Sequence, residues 1–557
     1  MTARTAWRGF WAGLLAALAM SLAMAVVREV SGGPSLPELL GEAIITLMPP
    51  VLFSAVLDTL LRAAKPTLFV SVVIGQLVVG GLIGRSYAKG PTLKRAVATA
   101  LVVWVLVGVI GFVLPGIGFF GRSTKAGIVY EGFTLLALFV VYGLALYLFE
   151  RLLRASPAVA ADSATAAIAG QRRRVLVKVG AAVAAVAVAG SGWRVLSGQS
   201  AGRQSASPPR PDASLGDSSR SGAAQSQAAP ASAAEPAPKL EQVQPARIAV
   251  AGVIPGAPAQ PPFDVGGLSP EVTPTKDFYT VSKNFFDPKV DAKRWSLVVD
   301  GLVERSLQLG FDDIKALPSV SNFYTLQCIS NPIGGDLWGN AHWKGVRLVD
   351  LLQAAGAKPG VRKVVFHAAD DYTDSIVLDR AVNPGTIVAY EMNGAPLEDV
   401  HGFPARILVP NIYGMKNVKW VTRIELVDYD FKGFWMERGW SDPAPYQVSS
   451  RIDSPASRSS PPQGEVSIAG VAFAGDRGIK AVEVSLDDGK NWQPAQLKPA
   501  LAPNTWNLWV FKPRLAPGSY SVKVRAVEGA GEVQTALEAE PLPAGATGYH
   551  TVVIRVV

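Results

Sequence analysis

Apolar residues run almost unbroken over Phe10–Val27, Ala43–Leu57, Pro66–Gly84, Ala96–Phe120 and Gly132–Phe149, with a weaker run at Val179–Trp193. A helix needs about 20 such residues to cross a bilayer. The pattern therefore predicts a five-helix membrane region over residues 1–155 and a sixth apolar segment within 156–196. The second run is short and carries Pro49-Pro50, which would kink it. From 197 to 262 the periodicity gives way to Ser, Ala, Pro and Gln, a composition that cannot bury a core, and this stretch reads as a disordered linker.

After the linker the period shortens. "RWSLVVDGLV" (Arg294–Val303) reads as a strand with a turn, and "VRLVDLLQAAGA" (Val346–Ala357) as a short helix closed by Gly356. "RKVVFHAADDYTDSIVL" (Arg362–Leu378) reads as two strands about an acidic turn. Together they predict a mixed α/β domain over 263–457. Residues 458–557 hold alternating runs ("EVSIAGVAFAG", "IKAVEVSLDDG", "NLWVFKP", "SYSVKVRAV", "YHTVVIRVV") separated by turn signals, as in an immunoglobulin-like β-sandwich. Trp492, Trp506 and Trp509 are expected in its packing. The fold class is thus multi-domain: membrane helices, a mixed α/β domain, then a β-sandwich.

Charge changes the picture in one respect. The net charge of +9 comes from Lys and Arg that flank apolar runs. No basic patch is interleaved with aromatics, which argues against a nucleic-acid binder. With the N-terminus outside and five crossings, the cytoplasmic segments hold eleven basic residues: Arg28, Arg85, Lys89, Lys94, Arg95, Arg151, Arg154, Arg172, Arg173, Arg174 and Lys178. The outer segments hold six (Arg4, Arg8, Arg62, Lys65, Arg122 and Lys125), so the positive-inside rule favours this orientation. The sixth run then carries the soluble half to the extracytoplasmic side. Its sequence "RRRVLVKVGAAVAAVAVAGSGW" (Arg172–Trp193) reads either as an internal twin-arginine export signal or as an ordinary stop-transfer flank. Ala187-Val188-Ala189 has the form of a cleavage site.

The chain has four histidines, the first at His342, and one cysteine, Cys328. The membrane part therefore lacks bis-histidine haem ligation, and neither CxxCH haem attachment nor an iron–sulfur cluster can be built from this chain. Cys328 lies in "FYTLQCISNPIGGDLWG" where a strand gives way to a Pro/Gly loop. It is either a small buried core residue or a thiolate presented to a cavity. In "HGFPARILVPNIYGMKNVKW" (His401–Trp420), His401, Arg406, Lys416 and Lys419 surround a short β segment and a Tyr413-Gly414 turn. They form either a clamp for a phosphorylated ligand or a solvated basic edge.

Taken in order, "TLQCISN", "HGFPARILVPNIYGMKNVKW", "GFWMERGWSD" and "SSRIDSP" resemble the sulfite oxidase superfamily of molybdopterin enzymes, particularly its membrane-associated bacterial branch. The likeness spans Asp277–Pro455. It implies a molybdenum–molybdopterin cofactor with Cys328 as the catalytic residue and protein ligand to the metal, completing a site otherwise made by the pterin dithiolene and oxo groups. It further implies that His401, Arg406, Asn417, Val418 and Lys419 hold the pterin and its phosphate. Tyr279, Ser282 and Lys283 in "DFYTVSKN" match a first cofactor-contacting segment, and Asp370 a further contact. The implied chemistry is two-electron oxygen-atom transfer or a related redox step on a small-molecule substrate. Electrons would leave to a separate quinone- or cytochrome-linked partner. The β module mediates dimers in some members, which admits a homodimer here.

Two departures stand out. No arginine follows Cys328, and Phe431 in "DFKGF" stands where sulfite-oxidising members place a catalytic tyrosine. Both point to a substrate other than sulfite. A second reading is a membrane scaffold or transport-associated protein whose molybdopterin-binding-like domain does not turn over; metal and pterin content separates the two.

Overall fold

The computed structural model describes residues 3–31, 35–48, 64–107, 127–154, 263–284 and 287–557. The sixth apolar run, its arginine cluster, the Ala187-Val188-Ala189 tripeptide and the linker at 197–262 lie outside the described residues. The chain divides into two compact units, Met1–Pro236 and Ala237–Val557.

In the first unit five helices are described: Ala3–Ser31, Leu36–Leu47, Ala64–Tyr87, Leu93–Leu106 and Gly127–Arg154. Among the described residues, three stretches are long and apolar enough to cross a membrane: Ala3–Arg28, Thr67–Tyr87 and Phe133–Arg154. The second and fourth apolar runs continue into residues that are not described.

A glycine seam sets the direction of these helices. A Cβ added at Gly9 would lie 2.5 Å from the Ala88 Cβ, one at Gly13 2.1 Å from the Gly80 carbonyl, and one at Gly80 2.6 Å from the Ala17 Cβ. As numbers rise on the first helix they fall on its partner, so the two helices are antiparallel. Small residues four apart on both let the backbones meet, as in membrane helix pairs. At one end of the bundle the buried Glu150 carboxylate receives Arg8 at 3.1 Å and Arg154 at 3.0 Å.

This arrangement corrects the topology expected above. Five alternating crossings would make Ala3–Ser31 and Ala64–Tyr87 parallel, whereas the seam makes them antiparallel. Ser31 and Ala64 therefore lie at the same end of this helix pair. The short run with its Pro49-Pro50 pair was the poorest of the five expected spans on length alone.

In the second unit the α/β part is built on two sheets. One has the order Leu307–Gly310, Ser296–Gly301, Val421–Val427, Lys363–Ala368, Thr373–Val377, with Ser296–Gly301 and Val421–Val427 parallel. Ser296–Gly301 buries alternate residues, Leu297 and Val299, as a half-covered strand must. The other sheet joins Val320–Gln327, Trp338–Arg347, Ile387–Met392 and Ala395–Pro396, with Arg406–Leu408 also paired to Ile387–Met392. The helix Leu348–Ala355 packs Leu351, Leu352 and Ala355 into the core, and Gly356 ends it in the left-handed conformation at φ 69°.

The C-terminal part is all β. Ser449–Ser454, Ile468–Phe473, Asn507–Phe511 and Gln496–Leu497 form one four-stranded sheet; Gln493–Pro494, Ile479–Ser485, Gly518–Glu528 and His550–Val556 form another. Ile452, Ile468 and Trp509 of the first share a core with Val482, Val524 and Ile554 of the second, so the two sheets pack face to face. Ser449–Ser454 precedes the expected boundary at 458 yet pairs with Ile468–Phe473, which puts the "SSRIDSP" segment in the β part. Trp506 and Trp509 are buried, while Trp492 is partly covered and lies 4.2 Å from the Arg525 guanidinium.

Candidate functional site

A cleft opens where the loops of both α/β sheets meet. All ten residues proposed from the sequence line it: Tyr279, Ser282, Lys283, Cys328, Asp370, His401, Arg406, Asn417, Val418 and Lys419. They come from five separate stretches of chain, so only the fold brings them together.

Cys328 follows directly on the strand Val320–Gln327 and is 7% exposed. The β part props this strand: Thr325 donates its N–H to the Asn504 carbonyl at 2.9 Å and accepts the Trp506 N–H on Oγ1 at 2.9 Å. The loop after Cys328 is closed by the Leu337 N–H on Asn331 Oδ1 at 2.8 Å, and Cys328 Sγ lies 3.1 Å from Ser330 Oγ. The thiol is thus fixed at the end of a rigid element. Burial raises the Tyr279 hydroxyl well above its ordinary value, with the Cys328 sulfur adding to it. Tyr279 therefore faces the cleft as a protonated phenol.

His401 is buried, with Nε2 3.0 Å from the Thr275 carbonyl. A carbonyl only accepts, so Nε2 carries the hydrogen and the ring offers Nδ1 as an acceptor. Burial lowers the His401 pKa, reinforced by the Arg406 charge, and the imidazole is neutral. Gly402 next to it has φ 108°, and a Cβ there would lie 3.0 Å from the Lys419 Cβ; only glycine lets these two strands of the loop approach.

Arg406 is 6% exposed, donates to the His401 carbonyl at 3.1 Å and the Asn417 carbonyl at 3.0 Å, and lies 5.3 Å from the Trp343 ring. Its Nε is buried without a partner, and no carboxylate among the described residues pairs with it. Burial lowers its pKa to about 10. Burying a cation without an anion is costly, so this arrangement calls for an anionic ligand. Lys419 adds a second cation, with Nζ 2.7 Å from Ser282 Oγ and 3.0 Å from the Val400 carbonyl. The Asn417 side chain is structural as well: Oδ1 accepts the Val409 N–H at 2.7 Å.

The cationic quartet read from "HGFPARILVPNIYGMKNVKW" needs correction. His401 is neutral, and Lys416 is consumed elsewhere: its Nζ bonds Asp374 Oδ1 at 2.8 Å and Asp442 Oδ1 at 2.9 Å. Arg406 and Lys419 remain. Phe431 is not among the residues that line the cleft. Its carbonyl instead accepts from Lys363 Nζ at 2.9 Å and Ser375 Oγ at 3.0 Å. Two tyrosines, Tyr279 and Tyr372, do line the cleft.

Sequence reasoning missed Tyr372, Met415, Trp435 and Trp440 in the wall. Trp435 and Trp440 stack with centroids 4.2 Å apart, forming an aromatic face to the cleft. A period-two signal was present in "DDYTDS": Asp370, Tyr372 and Asp374 alternate, and only the first was chosen.

A molybdopterin fits these residues. An unpaired buried guanidinium meets its phosphate requirement, a single soft thiol meets its metal, and neutral donors and acceptors line the space between. Among the described residues no group of three or more His, Cys, Asp or Glu is placed to cage a metal.

Known proteins agree. Residues 285–435 match the family model for an oxidoreductase molybdopterin binding domain, and residues 445–556 match that for a Mo-co oxidoreductase dimerisation domain. The chain is 34% identical over 278 residues to sulfite oxidase of Arabidopsis thaliana, covering 41% of this chain and 70% of that one. It is 34% identical over 150 residues to an uncharacterized oxidoreductase of Bacillus subtilis, covering 27% of this chain and 74% of that one. Against the mitochondrial sulfite oxidase of Homo sapiens it is 33% identical over 314 residues, 47% of this chain, and spans only 57% of the human enzyme's length. The chain belongs to the sulfite oxidase superfamily of molybdopterin-dependent oxidoreductases.

Proposed function

We propose that this is a membrane-anchored, molybdopterin-dependent oxidoreductase whose catalytic domain works on the extracytoplasmic side of the membrane. The observation that carries the reading is Arg406, a buried cation with an unpartnered Nε in the same cleft as the only thiol of the chain. When bound, the cofactor supplies two-electron redox chemistry with oxygen-atom transfer at molybdenum. Cys328 would hold the metal. Arg406 and Lys419 would hold the phosphate, His401 would accept a hydrogen bond through Nδ1, and Tyr279, Ser282, Lys283, Asp370, Asn417 and Val418 would line the pterin. The stacked Trp435 and Trp440 exclude water from one wall.

The substrate we propose is a small molecule other than sulfite. Ile329-Ser330-Asn331-Pro332 after Cys328 supply no cation, and Arg406 is the one arginine among the cleft's described residues. Electrons would pass to a separate quinone- or cytochrome-linked partner, and the β part, read as an immunoglobulin-like sandwich, would serve a homodimer. The test is metal and pterin analysis of the purified full chain, followed by a substrate screen with an artificial electron carrier. About one molybdenum and one pterin per chain are expected; neither, after maturation in a competent host, would leave a non-catalytic scaffold.

The helix directions support a revised orientation. With four crossings, one side holds Arg4, Arg8, Arg85, Lys89, Lys94, Arg95, Arg151, Arg154, Arg172, Arg173, Arg174 and Lys178, and the other holds Arg28, Arg62, Lys65, Arg122 and Lys125. The first side is cytoplasmic by the positive-inside rule, and the margin is wider than in the five-crossing count. The N-terminus is then inside, and the run Val179–Trp193 still delivers the soluble half outside. A reporter fused after Arg4 is expected to be active only in the cytoplasm, with the domain after Pro262 open to protease from outside. An externally placed N-terminus would refute the four-crossing path.

A further inference from the structure

Behind the cleft wall lies an acid that binding the cofactor does not require. Asp374 is 0% exposed, and its Oδ1 accepts from Lys416 Nζ at 2.8 Å and from the Ser375 N–H at 2.7 Å. Its Oδ2 lies 2.9 Å from the Tyr372 hydroxyl oxygen, which is also 3.0 Å from the Met415 carbonyl. A phenol has one proton, and here it faces two acceptors. With a proton on Asp374 Oδ2, the carboxyl donates to the Tyr372 oxygen and Tyr372 donates to Met415, so both contacts become hydrogen bonds. With Asp374 ionised, one of the two contacts has no proton. The site is built to hold either state at the same heavy-atom positions.

Burial raises the Asp374 pKa above its ordinary value, against the lowering effect of Lys416, the Ser375 N–H and the Tyr372 hydroxyl. The second acid on the same ammonium, Asp442, behaves in the opposite way. Burial would raise it, but Lys363 at 2.6 Å, Lys432 at 2.9 Å and Lys416 outweigh that and hold it well below its ordinary value. Two carboxylates on one amine are thus pushed apart, the pattern that separates a proton carrier from a fixed charge. Gly433 packs closely on Asp374: a Cβ there would lie 2.7 Å from the Asp374 Cα. The other titratable groups acting on this pair include Cys328, whose charge raises the Tyr372 hydroxyl, Asp370, which accepts the Tyr372 N–H at 3.1 Å, and Asp430, paired with Lys363 at 2.7 Å.

We propose that Asp374 is the proton-holding residue of the cleft, exchanging a proton with solvent-shielded chemistry through Tyr372. As a proton leaves a group in the cleft and bonds to the Tyr372 oxygen, the Tyr372 O–H bond breaks and its proton bonds to Asp374 Oδ2. Tyr372 is unchanged, the carboxylate becomes a carboxylic acid, no electron moves, and the reverse half of the cycle returns the proton. Asp374 touches no substrate and is a positioning residue. The inference rests on the oxidoreductase reading above and deepens it.

The test uses the full chain loaded with molybdenum. Asp374→Asn keeps a donor toward Tyr372 and an acceptor toward Lys416, so metal content should match the unaltered protein. Turnover should fall about 100-fold, the usual weight of one proton-transfer group. The ionisation above the ordinary aspartate range should vanish from the pH profile, and the solvent deuterium isotope effect should change. Independently of any variant, infrared difference spectra of ¹³C-aspartate-labelled protein should show a buried protonated carboxyl that titrates above the ordinary aspartate range. Absence of that band, or an Asp374→Asn protein with unaltered turnover and pH profile, overturns the proposal. A preparation without molybdenum or pterin defeats the oxidoreductase reading instead, and the infrared band is still read on it.

Discussion

Cys328→Ser is expected to leave a folded domain that has lost its molybdenum-dependent turnover by more than about 100-fold, since even outer partners of metal ligands cost about 10–100-fold. The fold should survive because the substitution is close to isosteric. A serine hydroxyl keeps the contact to Ser330 Oγ, and the backbone bonds from Cys328 N–H to the Leu337 carbonyl at 2.9 Å and from Asn331 N–H to the Cys328 carbonyl at 3.1 Å do not involve the side chain. What changes is the donor. A thiolate is soft and is held deprotonated by a bound metal, whereas a hydroxyl is hard and far less acidic. X-ray absorption at the molybdenum edge should lose one sulfur neighbour. Unaltered turnover with an unaltered metal spectrum would mean that the sulfur is only a core atom.

How much of this was legible in the sequence differs between the two units. In the soluble unit the strands and the Gly356-closed helix were readable from the pattern of apolar and turn residues, while the ten residues that line the cleft came from the resemblance that several multi-residue motifs carry. Charge state was not readable. Lys416 and Lys419 look alike in "MKNVKW", yet one amine is held by Asp374 and Asp442 and the other stands at the cleft, a difference set by residues more than 25 positions away. Phe431 shows a related limit: a motif position does not say which side of a loop faces the cavity, and here its backbone carbonyl accepts from Lys363 and Ser375. In the membrane unit, hydropathy located the apolar runs but could not give their direction. That information sat in Gly9, Gly13, Gly80 and Gly84, whose missing side chains count for nothing on a hydropathy scale and decide which backbones touch.

Arg406→Met should separate the stability of the empty protein from its hold on the cofactor, and the two effects should differ in size. In the empty chain Arg406 is a buried cation with no acidic partner among the described residues, and burial has already lowered its pKa to about 10. Removing such a charge relieves a desolvation penalty of roughly 1–4 kcal/mol. Against this, the His401 and Asn417 carbonyls lose donors at 3.1 and 3.0 Å, at about 1–3 kcal/mol when left unsatisfied. These terms nearly cancel, so the empty variant should unfold within about 1–2 kcal/mol of the unaltered chain. The loaded protein has no such cancellation. There the guanidinium would face a phosphate, and truncating one partner of a buried charge pair costs about 2–5 kcal/mol. Cofactor retention should therefore drop by at least about 30-fold, since 1.4 kcal/mol is a factor of ten. Arg406→Lys keeps the charge without the fork and should fall between. Thermal unfolding of empty and loaded forms of each variant measures both quantities at once. Equal destabilisation of the two forms would show that Arg406 only braces the His401 and Asn417 loops, and the anionic ligand argued from its unpartnered Nε would have no support.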